Sequence, residues 1–226
     1  MVFSPGVGGA IYTDTVDTSV EAEILGLLSQ GLSPDQILNN VMAVENESRA
    51  RGQYAVVTVD GASAVQSGSE VTGQQNNGSS YTVHGNEVAS GVVEAVTASL
   101  EADRGTEKPL SDVVVDALVA GAAEGGDVRC GDQTALFAQV VVVGPEDTPT
   151  KPGYFLTVVV DQGDGQNPVE ILAQERTASQ QGLFDVGTAS GRGIWVYAFA
   201  ATLGLMMLAS GAVIFRYGMG NRVARR

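Results

Sequence analysis

Cysteine, histidine and tryptophan each occur once in the 226 residues, and lysine only twice. One cysteine excludes a disulfide framework, an iron–sulfur cluster and a cysteine-based zinc site within one chain. One histidine excludes a His-rich metal centre, and no cofactor is expected. Basic residues are scarce too: 12 Lys plus Arg face 26 Asp plus Glu, a formal net charge of −14. Phosphate binding requires a surface of the opposite sign, so nucleic acid is excluded as a partner. The length suits one domain of roughly 150 to 170 residues plus extra elements.

The charge is unevenly placed. Residues 1–191 hold every acid and seven basic residues, whereas the last 35 residues hold five arginines and no acid. Within that stretch Ile194 to Phe215 reads IWVYAFAATLGLMMLASGAVIF, 22 residues without a charge or a proline. As a helix it would extend about 33 Å, close to the roughly 30 Å of a bilayer's hydrocarbon. Trp195, Tyr197 and Tyr217 fall where headgroup interfaces would be. The stretch is therefore expected to be a transmembrane helix. Arg216, Arg222, Arg225 and Arg226 would hold the C-terminus in the cytoplasm, leaving the acidic N-terminal domain extracytoplasmic in a single-pass inner or plasma membrane protein. Ala200, Gly204, Ser210 and Gly211 offer close approach to a neighbouring membrane helix.

Upstream, Ile24, Leu25, Leu27 and Leu28 form one helical face that ends at Gly31. Ser33-Pro34-Asp35-Gln36 then supplies an N-cap, a first-turn proline and a capping-box residue ahead of Ile37, Leu38, Val41 and Met42. QYAVVTVD over Gln53 to Asp60 predicts a strand that turns at Asp60-Gly61 into a return strand over Ala62 to Gln66. The Gly-, Ser-, Asn- and Gln-rich stretch from Ser67 to Ser80 reads as loop. Val88, Val92, Val93, Val96 and Leu100 predict a helix, as do Leu110, Val113, Val114, Ala117 and Leu118 after Pro109. Thr134 to Val143 and Tyr154 to Val160 predict adjacent strands buried on both faces. A sheet covered by helices on at least one face is the layered solution for this order.

Several of these segments carry a family resemblance. Gly6-Val7-Gly8, EILGLLSQGLSPDQIL, QYAVVTVDG, Tyr81-Thr82-Val83-His84-Gly85-Asn86, Gly125-Gly126-Asp127-Val128-Arg129 with Gln133-Thr134-Ala135, and VVVDQGDGQNPVEIL together resemble an uncharacterised bacterial family of the N-terminal-nucleophile (Ntn) hydrolase superfamily, over roughly residues 6–172. The resemblance implies an α+β fold, a four-layer α-β-β-α sandwich, and an N-terminal Thr, Ser or Cys attacking an amide. The sequence departs from it in two ways. The family-like region lacks the opening hairpin that should carry the nucleophile, and Met1 has no nucleophilic side chain. Asp132 stands where the family has a basic residue, beside an extra Cys130.

The expected organisation is an Ntn-hydrolase-like, N-terminally incomplete extracytoplasmic domain over 1–172, a linker over 173–193 with Leu183 and Phe184 inside it, a transmembrane helix over 194–215 and a basic tail over 216–226. No catalytic residue is assigned. A vestigial or ligand site is expected from His84, Asn86, Asp127, Arg129, Asp132, Gln133 and Thr134, with Arg129 the donor that could clamp a carboxylate. Asp161, Asp164 and Asn167 superficially resemble a calcium loop, but lack its full spacing and terminal Glu; a turn closed by their side chains is the other reading. Three functions remain open: a non-catalytic accessory subunit of a membrane complex, with the bilayer and membrane proteins as partners; an anchored amidohydrolase whose nucleophile lies elsewhere; and a surface module binding a small ligand or peptide around His84, Asp127 and Arg129.

Overall fold

The computed structural model describes residues 1–13, 18–144, 146–148, 151–180, 194–201 and 210–217. Two antiparallel sheets form its centre. The first runs β1 (Val2–Ser4), β2 (Gly8–Thr13), β3 (Gln53–Thr58) and β4 (Ser63–Ser67), in that order. The second contains β5 (Gln74–Gly78), β6 (Tyr81–Gly85), β7 (Phe137–Val143), β8 (Tyr154–Val159), β9 (Ile194–Ala201) and β10 (Ser210–Tyr217), in the spatial order β5-β6-β10-β9-β7-β8.

Helices α1 (Thr18–Ser29) and α2 (Pro34–Met42) cover the outer face of the four-stranded sheet, where Ile24, Leu28, Ile37, Leu38 and Val41 pack on Ala10, Tyr54 and Val56. The capping box forms as its residues require: the Gln36 amide donates to Ser33 Oγ at 3.3 Å and the Ser33 amide to Gln36 Oε1 at 3.0 Å. A short α3 (Glu47–Arg51) follows, and its buried Arg49 ties α1 to the end of α2 through Glu23 and the Val41 carbonyl. On the six-stranded sheet, α4 (Val92–Asp103), α5 (Leu110–Ala123) and α6 (Pro168–Gln180) cover the other outer face, burying Val96, Leu100, Val113, Val114 and Leu172 against Tyr81, Val83, Ala138 and Val140. Between the sheets, Ile11, Ala55 and Val57 meet Val141 and Val143.

The C-terminal apolar stretch overturns the membrane reading. Ile194–Ala201 and Ser210–Tyr217 pair with each other and fill the middle of the larger sheet, β10 also pairing with β6 and β9 with β7. A largely apolar run without charges cannot distinguish a spanning helix from strands at the centre of a sheet, because neither has a polar stripe. Here the aromatic and β-branched residues Trp195, Val196, Tyr197, Phe199, Val213, Ile214 and Phe215 lie in strands, as their propensities favour. No helix among the described residues is long and apolar enough to cross a membrane.

The expectations built on that helix fall with it: single-pass topology, extracytoplasmic placement, and membrane partners. Ala200 and Gly211 are cross-strand partners rather than helix-packing residues, Ser210 pairs with Ala201, and Arg216 stands opposite Trp195 in the ladder. Gly204, Arg222, Arg225 and Arg226 lie outside the described residues, as do Leu183 and Phe184. Three smaller expectations also change. A strand, β5, lies within the stretch read as loop. The helix α6 continues to Gln180 through the start of the expected linker. Finally, β8 is only partly buried, and on one face: Phe155 and Val159 are 59% and 58% exposed, because β8 is an edge strand whose inward face the smaller sheet leaves uncovered.

Candidate functional site

Strand alternation sorts side chains between the two faces of each sheet. Tyr81 and Val83 of β6 point into the helix-covered core, so Thr82 and His84 point inward, toward the smaller sheet. On β3, Tyr54 and Val56 pack against helices while Ala55 and Val57 face inward; Gln53 shares their side, and Thr13 joins Ile11 on the inward side of β2. The space between the sheets is thus apolar at one end and polar at the other. Its polar end holds Thr13, Gln53, Thr82 and His84, all buried.

Hydrogen bonds extend this polar seam to the surface. The Gln53 amide donates to Thr13 Oγ1 at 3.4 Å, and its Nε2 donates to Ser67 Oγ at 3.1 Å and to the Gln74 carbonyl at 3.3 Å. Ser67 Oγ donates to Gln75 Oε1 at 2.6 Å, and Gln75 is the cross-strand partner of His84. Farther along the same edge, Ser63 Oγ donates to the Gly78 carbonyl at 2.9 Å and Asn77 Nδ2 to the Ser63 carbonyl at 3.0 Å. Edge strands β4 and β5, each paired by backbone to its own sheet, are therefore fastened to each other by side chains. Gly73 admits this close approach: a Cβ there would lie 2.5 Å from the Gly85 carbonyl oxygen and 2.7 Å from Gln53 Nε2.

Inside the seam, hydrogen-bonding capacity is left over. Among the described residues, neither ring nitrogen of His84 has a hydrogen-bond partner, and the same holds for Thr82 Oγ1 and Gln53 Oε1. His84 is 1% exposed. A buried polar group without a partner costs about 1–3 kcal/mol, so their concentration here is a feature to be explained. Burial pushes the His84 imidazolium down to a pKa of about 4, leaving the ring neutral near pH 7 with one donor and one acceptor nitrogen.

The other residues expected in the site are placed differently. Asp127 caps the short 3-10 helix Val128–Gln133 and accepts from Arg129 Nε at 3.0 Å and Nη2 at 2.9 Å, so the edge of the guanidinium suited to clamping a carboxylate is already taken. Gln133 is spent on the loop before α6. Its Nε2 lies 3.0 Å from the Asp161 carbonyl, 2.9 Å from Asp164 Oδ1 and 3.1 Å from the Gln166 carbonyl, while Oε1 accepts from the Gly163 amide at 2.5 Å. The Thr134 carbonyl accepts from the Asp127 amide at 2.7 Å, and Gly126 lets that segment pass, since a Cβ there would meet the Thr134 oxygen at 2.3 Å. Asp132 is exposed, and Asn86 is half-buried in the bend after β6.

Asp164 and Asn167 close turns, accepting from the Gln166 amide at 2.7 Å and the Val169 amide at 2.9 Å. Among the described residues, no three His, Cys, Asp or Glu side chains gather as a metal site requires. Burial, then Asp127, raises the Cys130 thiol to about 11, the opposite of an activated nucleophile. The surface module expected around His84, Asp127 and Arg129 is therefore corrected: His84 is interior, and the other two are engaged with each other. Thr13, Gln53 and Thr82 were not anticipated. Only Thr82 was legible, because alternation in YTVHG puts it on the face of His84.

These features define a mixed α+β domain of two facing sheets, helix-covered outside and with a polar seam inside. The chain belongs to the family of unknown function DUF1028, which matches residues 2–172. A solved member, protein SPO2555 from Silicibacter pomeroyi, is similar with a TM-score of 0.61 at 22% identity, over 79% of this chain and 72% of that one. That likeness attests the fold. No curated protein matches. Neither comparison carries an Ntn-hydrolase assignment, and the structure adds none, so the expected incomplete Ntn-hydrolase sandwich with a membrane helix gives way to the mixed α+β domain of DUF1028, and the membrane-subunit and anchored-amidohydrolase functions are withdrawn.

Proposed function

We propose that this protein binds a small polar ligand between its two sheets, with His84 as the principal hydrogen-bonding residue. One observation carries the reading: both nitrogens of a 1% exposed imidazole lack a partner among the described residues. Thr82 Oγ1 and Gln53 Oε1 add unused capacity on neighbouring inward faces. A bound molecule that satisfied these atoms would recover the desolvation they otherwise cost. At the β4–β5 edge, Ser67 and Gln75 link the buried glutamine to the exposed rim, and a ligand would enter by loosening these side-chain bonds.

The single histidine makes the test clean. The full chain, labelled with ¹⁵N only in histidine, is titrated with acetamide, ethylene glycol, acetate and methylammonium while the imidazole nitrogens are followed by NMR. A saturable shift with any of the four supports the proposal. A ring that responds to none of them holds at most water and ends it.

A further inference from the structure

The edge of a β-sheet is where one chain can pair with another. The smaller sheet ends at β1, only three residues long, and at β4, which side chains fasten to β5, one edge of the larger sheet. The other edge of the larger sheet, β8, has no such protection. Tyr154–Val159 reads YFLTVV, without the charge or proline that blunts natural edges, and no described strand pairs on its outer side. The Val160 amide donates to the Leu136 carbonyl at 3.0 Å, and hydrogen-bonded and non-bonded pairs alternate along an antiparallel ladder. Tyr154, Leu156 and Val158 therefore spend their backbone groups on β7, while the N–H and C=O groups of Phe155, Thr157 and Val159 face the open edge. The side chains of these three lie on the face that the smaller sheet leaves uncovered, where Phe155 and Val159 are more than half exposed.

We infer that β8 pairs with β8 of a second copy of this chain, antiparallel across a twofold axis at Thr157, so that the two larger sheets become one. This register matches all three outward-facing residues: Phe155 meets Val159, Thr157 meets Thr157 and Val159 meets Phe155, with about six backbone hydrogen bonds exchanged. It also sets an aromatic against a β-branched side chain twice and threonine against threonine once, pairings that stabilise a sheet. Charge favours this partner and this direction. In a chain of net charge −14, Lys108 is held by Asp103 and Asp116, whereas Lys151 is exposed three residues before β8 and Asp161 is exposed two residues after it. Antiparallel pairing brings each Lys151 to the Asp161 end of the other copy; parallel pairing would set lysine beside lysine. A contact of this symmetry is self-complementary and closes at two copies.

Sedimentation equilibrium of the full chain reads the outcome directly. The native chain should dimerise with a Kd of about 10 µM or tighter. Thr157→Pro removes an N–H that serves only the open edge, a position where an edge strand tolerates proline; it should weaken the dimer about tenfold or more and keep the native circular dichroism spectrum. Charge reversal tests the pairing without touching β8. Lys151→Asp and Asp161→Lys should each dimerise severalfold more weakly alone, and mixed in equal amounts should form a heterodimer as tight as the native dimer, because both opposite-charge pairs are then restored. A native chain still monomeric at about 100 µM overturns the inference and leaves this edge to another protein or to none. A Thr157→Pro chain that dimerises like the native one, or a charge-reversed mixture no tighter than either variant alone, overturns the antiparallel β8 contact.

Discussion

Lowering the pH from 7 to 4 should cost this protein a large share of its stability through one residue. His84 is buried, and that burial lowers its pKa from 6.5 to about 4. In the unfolded chain the ring takes up its proton near pH 6.5; in the folded chain it resists until about pH 4. Between those values the unfolded state binds more protons. The contribution is therefore intact above about pH 6.5 and is lost as the pH falls toward 4. The shift corresponds to about 3 kcal/mol at about 1.4 kcal/mol per pH unit, a substantial part of the roughly 5–15 kcal/mol of a typical domain. Many carboxylates also titrate near the lower end, so the measurement is a difference. Urea unfolding followed by circular dichroism from pH 7.5 to 4 is compared between the native chain and His84→Leu. The native chain should lose about 3 kcal/mol more than the variant. At pH 7.5 the variant should be no less stable, since it removes two unpartnered buried nitrogens. Parallel pH profiles, or an NMR titration of the sole imidazole near its ordinary value, would refute the reasoning.

Three further outcomes are expected. Gln133→Ala frees the loop 161–166, costing about 1–3 kcal/mol and sharply accelerating hydrogen exchange at the Gly163 amide, which donates to Gln133 Oε1; unchanged exchange would contradict the clamp. Val213→Pro removes a donor from β10 between β6 and β9, where a central strand does not tolerate proline, so the cooperative unfolding transition should be lost; an unaltered transition would show that these strands do not hold the sheet together. Cys130, its thiol raised to about 11, should react with iodoacetamide at pH 8 at least tenfold more slowly than free cysteine; reaction at the free rate would contradict the placement of its sulfur.

Much of the fold was legible because its local signals were unambiguous. Ser33-Pro34-Asp35-Gln36 can do little but begin a helix, and Asp60-Gly61 between apolar alternations closes a hairpin in which the Thr58 amide reaches the Ala62 carbonyl at 2.9 Å. The candidate site was legible only in part. His84 stood out as the sole histidine, but its partners in the seam lie on strands distant in sequence. The polar run 125–134 drew attention by density, yet its side chains are consumed in capping Val128–Gln133 and pinning the loop before α6.

Composition alone settled that no disulfide framework or cysteine-based zinc site forms within the chain, and periodicity alone placed α2, α4 and α5. Tertiary structure decided the fate of Ile194–Ala201 and Ser210–Tyr217, because a largely apolar run fits a bilayer and the centre of a sheet equally well, and only pairing with β6 and β7 distinguishes them. It also decided which polar residues remain unsatisfied. A residue's chemistry is written in its own side chain, but whether its hydrogen bonds are met depends on neighbours that only folding brings within reach.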